Sequence, residues 1–176
     1  FDFVSNDRTL IGQGEEGVYM NGVPKQPRIN PGTVLYNPAL ADVIPEERMQ
    51  QLKKITQQEL WDLEEKYDAD VEKIFGSGKF RLRAKLNAFV ILNWTRDATS
   101  ATEFTRIDIR QRPDLLAAVM KSPGPFYMLP GNKAPASIVE TNSDDYLPVL
   151  SEIDVYEVTG AVDFDKGVEF CVKQFT

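Results

Sequence analysis

The chain has 176 residues, of which 42% are hydrophobic and 27% are charged, and its formal net charge is −7. This composition excludes wholesale disorder, and the acidity argues against a nucleic-acid partner or an anionic membrane surface. Histidine is absent and Cys171 is the single cysteine, which excludes Ser-His-Asp and Cys-His catalysis, imidazole metal sites and an intramolecular disulfide.

The sequence predicts a cytoplasmic protein. The longest apolar run, residues 88–92, is far shorter than the roughly 20 residues of a membrane span. No basic stretch followed by an apolar one opens the chain, so we expect no secretory signal and a reducing environment. Cys171 lies between apolar residues and is expected to be a small buried side chain.

The first half of the chain combines strand patterns, turns and a short helix. Its predicted elements, in chain order, are a strand over residues 1–5 ending at Asn6-Asp7, a hairpin with strands at 9–11 and 18–20, a loop over 24–32 that is stiffened by three prolines, and a helix from Pro45 to about Lys54.

A longer helix is predicted from Thr56 to Phe75. Thr56 and Glu59 have the spacing of a capping box, in which each side chain binds the backbone N–H of the other residue. Apolar residues then recur at three- and four-residue spacing and share one face of the helix: Leu60, Leu63, Tyr67, Val71, Ile74 and Phe75. Gly76 and Gly78 end the predicted helix.

The second half continues with strands and helices in alternation. Its predicted elements are a strand over 80–86 in which apolar and basic residues alternate, a core strand over 88–94, a strand over 104–109, a helix from Pro113 to Met120, a Pro/Gly loop over 122–136, a strand over 153–158 and a short helix capped by Asp165. With no internal repeat, we predict one mixed α/β domain over residues 1–176, a sheet with flanking helices.

Residues 12–17 match the pattern G-x-G-x-x-G. A dinucleotide site needs a helix after this pattern, whereas the residues that follow it here predict a strand. Glu15 and Glu16 would also place negative charge beside a pyrophosphate. We therefore predict a hairpin turn. The sequence contains no G-x-x-x-x-G-K-[ST] phosphate loop.

Two segments carry candidate site residues. Asn6-Asp7 follows an apolar strand, where a carboxylate can bind a metal ion or a reacting hydroxyl, although this dipeptide is also typical of a turn. Lys25 and Arg28 project from the proline-stiffened loop, which can hold cations toward an anion, although a solvated loop is the commoner explanation for such residues.

A third candidate is the basic face of the strand over residues 80–86. Arg81, Arg83 and Lys85 alternate with apolar residues and therefore share one face. Acidic residues between 62 and 72 can neutralise them, or the face can dock a phosphate or a protein. Asp144-Asp145 and Asp163-Phe164-Asp165 lack further ligands at metal-binding spacing, which favours turns and helix caps.

Residues 3–8, Gly22-Val23-Pro24 and residues 28–32 together resemble the part of HPr kinase-like proteins that follows the phosphate loop. In that family a strand ends in Asp-Asp, and a Gly-x-Pro segment comes later. Residues 23–33 and 81–93 look similar to the HprK-related kinase B group. The resemblance is clear over about the first 35 residues and around residues 80–95.

The resemblance implies a fold related to HPr kinase and phosphoenolpyruvate carboxykinase, with ATP and Mg²⁺ as cofactors. It implies phosphoryl transfer to the hydroxyl of a protein or a small molecule. In the family the Asp pair binds metal and activates the hydroxyl. Here Asn6 stands at the first position and Asp7 at the second, so Asp7 is the catalytic and metal-binding candidate. Asn6, Lys25 and Arg28 are candidates for phosphate binding.

Two hypotheses follow. In the first, the chain is the C-terminal part of such a kinase, and its partner is an N-terminal part that carries the phosphate loop upstream of Phe1. In the second, the chain is a non-catalytic module that docks through Arg81, Arg83 and Lys85. The phosphoryl acceptor and any homo-oligomer stay open.

Overall fold

The computed structural model of the chain describes residues 1–95, 97–122, 128–129, 131–137 and 140–176. They form eight strands, which are β1 (Thr9–Gly14), β2 (Gly17–Gly22), β3 (Arg28–Ile29), β4 (Tyr67–Asp68), β5 (Arg83–Lys85), β6 (Ala88–Leu92), β7 (Glu103–Ile107) and β8 (Asp154–Thr159). The α-helices are α1 (Pro31–Leu35), α2 (Glu46–Leu52), α3 (Gln57–Asp62), α4 (Val71–Phe75), α5 (Pro113–Val119), α6 (Ser143–Leu150) and α7 (Phe164–Phe175). The mixed α/β class predicted from the sequence is confirmed.

The chain divides into two compact units. One comprises Phe1–Leu10 and Met20–Ala84, and the other comprises Ile11–Tyr19 and Lys85–Thr176. The strands β1 and β2 pass from one unit into the other, and their sheet has the order β1-β2-β5. The single domain predicted over residues 1–176 stays a prediction.

The G-x-G-x-x-G stretch is a hairpin turn, as predicted. Glu15 and Glu16 form the turn between β1 and β2. Gly17 has a φ of +117°, which a residue with a side chain rarely adopts, so glycine is required where the second strand begins.

The first unit contains a helical core. Its buried residues are Val34, Leu40, Ile44, Met49, Leu52 and Leu60. Three features of the sequence position these helices. Pro31 occupies the first turn of α1. Asn37 caps a 3-10 helix, Pro38–Val43, by accepting a hydrogen bond from the N–H of Ala39. The predicted Thr56–Glu59 capping box begins α3.

The predicted long helix over residues 56–75 is wrong, because the chain forms two short helices there. The backbone leaves helical geometry at Leu63, where ψ is 112°. The next segment, β4, pairs antiparallel with β3, so that Tyr67 is opposite Ile29. Asp70 then caps α4 by accepting a hydrogen bond from the N–H of Lys73 at 3.1 Å. Strand pairing and this second cap therefore prevail over the apolar periodicity.

The second unit contains a three-stranded sheet of order β6-β8-β7. The central strand β8 pairs parallel with β6 and antiparallel with β7, so that Val155 is opposite Phe89 and Ile107. These three side chains share one face of the sheet because directly opposed residues point the same way. They pack with α5 and α6 in a core whose buried residues include Ile109, Leu115, Leu116 and Leu150.

Helix α7 packs by aromatic contacts. The ring of Phe170 stacks on Phe104, with centroids 4.2 Å apart, and meets Tyr156 edge-on at 5.2 Å. Phe104 and Tyr156 point to the face of the sheet opposite that of Val155, because side chains alternate along a strand. The sheet thus has helices on both faces.

Glu157 lies in the middle of β8. Among the residues that the structure describes, it is the one charged residue that is buried. Arg112, just before α5, donates two hydrogen bonds to its carboxylate, and Asn93, just after β6, donates a third at 2.8 Å. Arg112, followed by Asn93, holds the pKa of Glu157 below its usual value, because both donate to the ionised form. The carboxylate is therefore charged at neutral pH and ties α5 to the sheet.

Several other predictions need correction. Residues 1–5 are no strand and make only an isolated bridge at Phe3, while the strand predicted over 80–86 is shortened to β5. Asp163, not Asp165, caps α7 by accepting a hydrogen bond from the N–H of Lys166. Cys171 is half-buried. The predicted loop over 122–136 lies partly outside the described residues.

Helix α6 is absent from the predictions, and it contains Pro148, a residue that interrupts helix patterns. None of the helices in the described ranges is long and apolar enough to cross a membrane.

The Glu157 contact predicts a pH-dependent stability. We expect Glu157→Gln to lower the free energy of unfolding at pH 7 by about 2 kcal/mol, because hydrogen bonds to a buried charge are lost. The folded-state pKa of Glu157 lies below the unfolded one, so this contribution is present above about pH 4.5 and is lost as the pH falls through the folded value. The difference between the two proteins should thus shrink from pH 7 to pH 3.

Urea unfolding followed by tryptophan fluorescence measures this. Glu103→Gln is the control, since Glu103 lies in the same sheet and is exposed. Equal losses for the two variants, or a Glu157→Gln effect that is the same at both pH values, would contradict the assignment.

Candidate functional site

The predicted Asn6-Asp7 site lies in a bend of the first unit, two residues after the buried Val4. The segment before it pairs with residues 79–81. Phe3 donates its N–H to Lys79 O at 2.7 Å, and Arg81 donates its N–H to Phe3 O at 2.9 Å. This pairing fixes the backbone from which the exposed Asn6 and Asp7 project.

A hydrogen bond joins this bend to the turn that carries Lys25. The hydroxyl of Ser5 accepts from the N–H of Val23 at 3.2 Å and donates to the carbonyl of Arg8. Gly22 adds a close backbone approach, because a Cβ at that position would lie 1.9 Å from the carbonyl oxygen of Val4. Two segments that are distant in the sequence are thus neighbours in the fold.

The polar groups of these two segments are exposed. No residue in the described ranges pairs with the side chain of Asn6, Asp7 or Lys25. Their amide, carboxylate and ammonium groups are therefore free to contact a ligand as far as the described chain is concerned. An exposed carboxylate of this kind suits Mg²⁺, which proteins commonly bind through one or two carboxylates together with substrate phosphates.

Arg28 is held differently from Lys25. It lies in β3, and its Nε is 3.8 Å from Oδ1 of Asp68 in the paired strand β4. Both side chains are about half exposed or more, so this ion pair contributes little to stability. No contact described for Arg28 joins it to the Asn6-Asp7 bend.

The basic strand face is partly neutralised, but by a residue other than those predicted. Arg81 and Lys79 both pair with Asp2, the lysine at 3.3 Å. Arg81, followed by Lys79, lowers the pKa of Asp2 by donating hydrogen bonds to its carboxylate. Arg83 and Lys85 lie exposed in β5, where their spacing of two places them on the same face.

The sequence offers the acidic residues between 62 and 72 as counterions for the basic strand face. For Arg81 this prediction is wrong. Glu65 instead accepts two hydrogen bonds from Arg48, at 3.1 and 2.5 Å. Arg48, followed by the Tyr67 hydroxyl, lowers the pKa of Glu65.

Asp144 and Asp145 lie in the first turn of α6, where the positive end of the helix dipole stabilises their negative charge. Across the described part of the chain, no three Cys, Asp or Glu side chains gather in a way that could hold a metal ion. A metal at Asp7 would therefore need further ligands from a nucleotide or from another chain segment.

The second unit contains a cleft that the sequence does not reveal. Its volume is about 360 Å³, and the residues that line it include the buried Ile109, Leu150 and Val155. Two arginines line it, but each is paired with a carboxylate, Arg106 with Asp154 and Arg110 with Asp108. The cleft has little net positive charge because of these pairs.

Comparison of the chain with protein-family models, curated proteins and solved structures finds no significant match.

The close approach at Gly22 predicts a local stability effect. We expect Gly22→Ala to lower the free energy of unfolding by roughly 1–3 kcal/mol, because a Cβ cannot fit 1.9 Å from the Val4 carbonyl without a backbone shift. Gly12→Ala is the matched control in the other strand of the hairpin, where no described atom beyond the two neighbouring residues lies within 4 Å of the added carbon. Urea denaturation checks the difference, and equal stability of the two variants would refute the contact.

Proposed function

We propose that this chain is the C-terminal part of an HPr kinase-related, ATP-dependent phosphotransferase. In this proposal the chain contributes metal- and phosphate-positioning residues to a nucleotide site. The observation that carries the proposal is the hydrogen bond between Val23 and Ser5, because it joins two of the segments on which the family resemblance rests. The fold implied is the HPr kinase and phosphoenolpyruvate carboxykinase arrangement of a sheet with flanking helices.

Asp7 is the residue proposed to bind Mg²⁺, which when bound would neutralise charge on the phosphates of ATP. Its carboxylate is exposed and has no partner in the described ranges, which suits a ligand that arrives with the nucleotide. Asn6 replaces the first acidic residue of the family motif, and an amide cannot accept a proton from a hydroxyl. Asn6 therefore serves to position a phosphate or the acceptor rather than as a base.

Lys25 and Arg28 are the cations proposed to bind phosphate. Lys25 extends into solvent from the turn that Ser5 holds, and it has no described counterion. Arg28 carries a weak, exposed contact to Asp68, which a phosphate can replace at low cost because surface ion pairs are worth little. Phosphoryl transfer depends mainly on such positioning and charge stabilisation.

These 176 residues contain no G-x-x-x-x-G-K-[ST] pattern, and we propose that an N-terminal part of the same kinase supplies the phosphate loop. The acceptor is a hydroxyl of a protein or of a small molecule. The proposal places the reaction in the cytoplasm.

The proposal predicts a magnesium-dependent loss of ATP binding in one variant of the complete gene product. We expect Asp7→Asn to weaken MgATP binding roughly tenfold or more, because a charged contact to the metal is lost. Binding of ATP without Mg²⁺ should change little. Isothermal titration calorimetry with and without Mg²⁺ measures both affinities.

The control for this experiment is Asp42→Asn, which removes an exposed carboxylate from the same unit. It should bind MgATP as tightly as the unmodified protein. Two results would overturn the proposal. One is a gene that encodes no G-x-x-x-x-G-K-[ST] upstream of Phe1, and the other is unchanged MgATP binding by Asp7→Asn.

Docking through the basic strand is the second candidate function. The exposure of Arg83 and Lys85 favours it, while the pairing of Arg81 with Asp2 lowers the charge that the sequence pattern predicts.

Replacement of Arg81, Arg83 and Lys85 by glutamate should abolish capture of an acidic partner while the circular dichroism spectrum is retained.

A further inference from the structure

The dipeptide Asn21-Gly22 stands at the end of β2 and combines two residues that react with each other in an open chain. The backbone nitrogen of the residue after an asparagine can attack the carbon of the side-chain amide, which closes a succinimide ring. The attack is easiest when that residue is glycine, because no Cβ shields its nitrogen. Asn21 is therefore a candidate site for deamidation.

The fold requires the glycine of this dipeptide. A Cβ at position 22 would lie 1.9 Å from the carbonyl oxygen of Val4, so a larger residue cannot take the place of Gly22 without a backbone shift. The half-buried side chain of Asn21 forms no hydrogen bond with any other residue that the structure describes. The packing against Val4 thus gives Asn21 the least shielded neighbour that an asparagine can have.

In the folded chain the attacking nitrogen is held in a hydrogen bond. Gly22 donates its N–H to the carbonyl oxygen of Leu82 at 2.8 Å. The segment that carries this carbonyl is itself fixed, since Arg81 donates its N–H to Phe3 O at 2.9 Å. The nitrogen of Gly22 must lose its proton and turn toward the side chain of Asn21 before it can attack. The hydrogen bond to Leu82 and the extended backbone must therefore open first.

We propose that Asn21 is a deamidation site that the folded chain closes and that reacts when the end of β2 separates from Leu82. In the reaction a bond forms between the nitrogen of Gly22 and Cγ of Asn21. The side-chain nitrogen of Asn21 leaves as ammonia, with the proton that the Gly22 nitrogen gives up. Water then opens the succinimide at either carbonyl and yields aspartate or isoaspartate. The reaction needs no oxidant, reductant or cofactor.

The isoaspartate product does not fit the contacts of Gly22. Its main chain runs through the former side chain, which adds a carbon atom to the backbone just before Gly22. Gly22 then loses its register with Leu82. Val23 moves away from the hydroxyl of Ser5, to which its N–H donates at 3.2 Å. A chain that opens and reacts at this point therefore loses the contact that holds the Lys25 turn.

This inference goes beyond the proposed phosphotransferase and does not depend on it. It uses hydrogen bonds and one close backbone approach, and the reaction can be followed with no nucleotide or metal present. Failure of the deamidation experiment and failure of the MgATP experiment are therefore distinguishable.

Peptide mapping by mass spectrometry, combined with an isoaspartate assay, tests the proposal on the full chain. The chain is incubated at neutral pH in buffer and in concentrated guanidinium chloride. We expect Asn21 to deamidate roughly tenfold or more slowly in buffer, because only the open fraction of the chain reacts. Equal rates in the two solutions overturn the closure, and an Asn21 that stays intact in the denaturant overturns the site.

Ser5→Ala tests whether the opening is local, because it removes the hydroxyl that holds Val23 and leaves both reacting residues unchanged. This variant should deamidate several times faster than the unmodified chain in buffer and equally fast in the denaturant. Ser77→Ala is the matched control, since Ser77 is an exposed serine of the same unit. Equal rates for the two variants in buffer overturn the local opening.

Hydrogen exchange tests the closure without any variant, and so applies even if Ser5→Ala does not fold. The N–H of Gly22 should exchange slowly in the unmodified chain because Leu82 accepts its hydrogen bond. A Gly22 amide that exchanges as fast as in an unfolded chain overturns the proposal.

The effect of isoaspartate is measured on the chain recovered from the denaturant. After chromatographic separation, the isoaspartate form should unfold at a lower urea concentration than the Asn21→Asp variant. That variant is the control because it carries the same charge on an ordinary main chain. Equal stability of the two overturns the expected loss of the Gly22 contacts.

Discussion

Glu157 imposes the main constraint on the second unit, because an ionised carboxylate in the middle of an apolar sheet face is costly unless every oxygen is bound. Arg112 and Asn93 meet that need, and they come from the start of α5 and from the end of β6. Each of these segments must therefore reach β8 in one register. The buried apolar face already specifies one register, and the hydrogen bonds to this charge add to that preference. Asp114 in the first turn of α5 also binds Arg112, so the arginine that binds Glu157 is held at the start of the helix.

Local signals in the sequence predicted the elements that local physics determines. The Thr56–Glu59 cap, the glycine-rich hairpin turn and the proline at the start of α5 all involve neighbouring residues, and all three are confirmed. The prediction of one long helix was wrong because the β3–β4 pairing is non-local. The residues of β4 also carry no sequence pattern that distinguishes a strand from one face of a helix. The Arg112–Glu157 contact was equally hidden, since 45 residues separate its members.

The candidate site shows the same division. Its residues could be selected from the sequence because a turn after a short apolar segment and a proline-rich segment are recognisable patterns. The proximity of these two segments could not be predicted from the sequence. It depends on the hydroxyl of Ser5 and on the absence of a Cβ at Gly22. Both residues lie within the motifs that carry the family resemblance, but the motifs do not show that the two segments touch. A small residue that permits two backbones to touch is visible only once both backbones have been traced.

The order of strands in the second unit has a consequence for its synthesis. Strand β8 lies at the centre of its sheet, yet it is the last of the three strands in the chain, and Ala88 pairs with Asp154. While the protein is translated, β6 and β7 leave the ribosome with no central strand to join. Their unpaired edges and apolar faces remain available to other nascent chains until β8 emerges. A chaperone that covers the exposed edges and apolar faces of β6 and β7 until β8 emerges would raise the yield of the protein. It would not need to bind the folded protein.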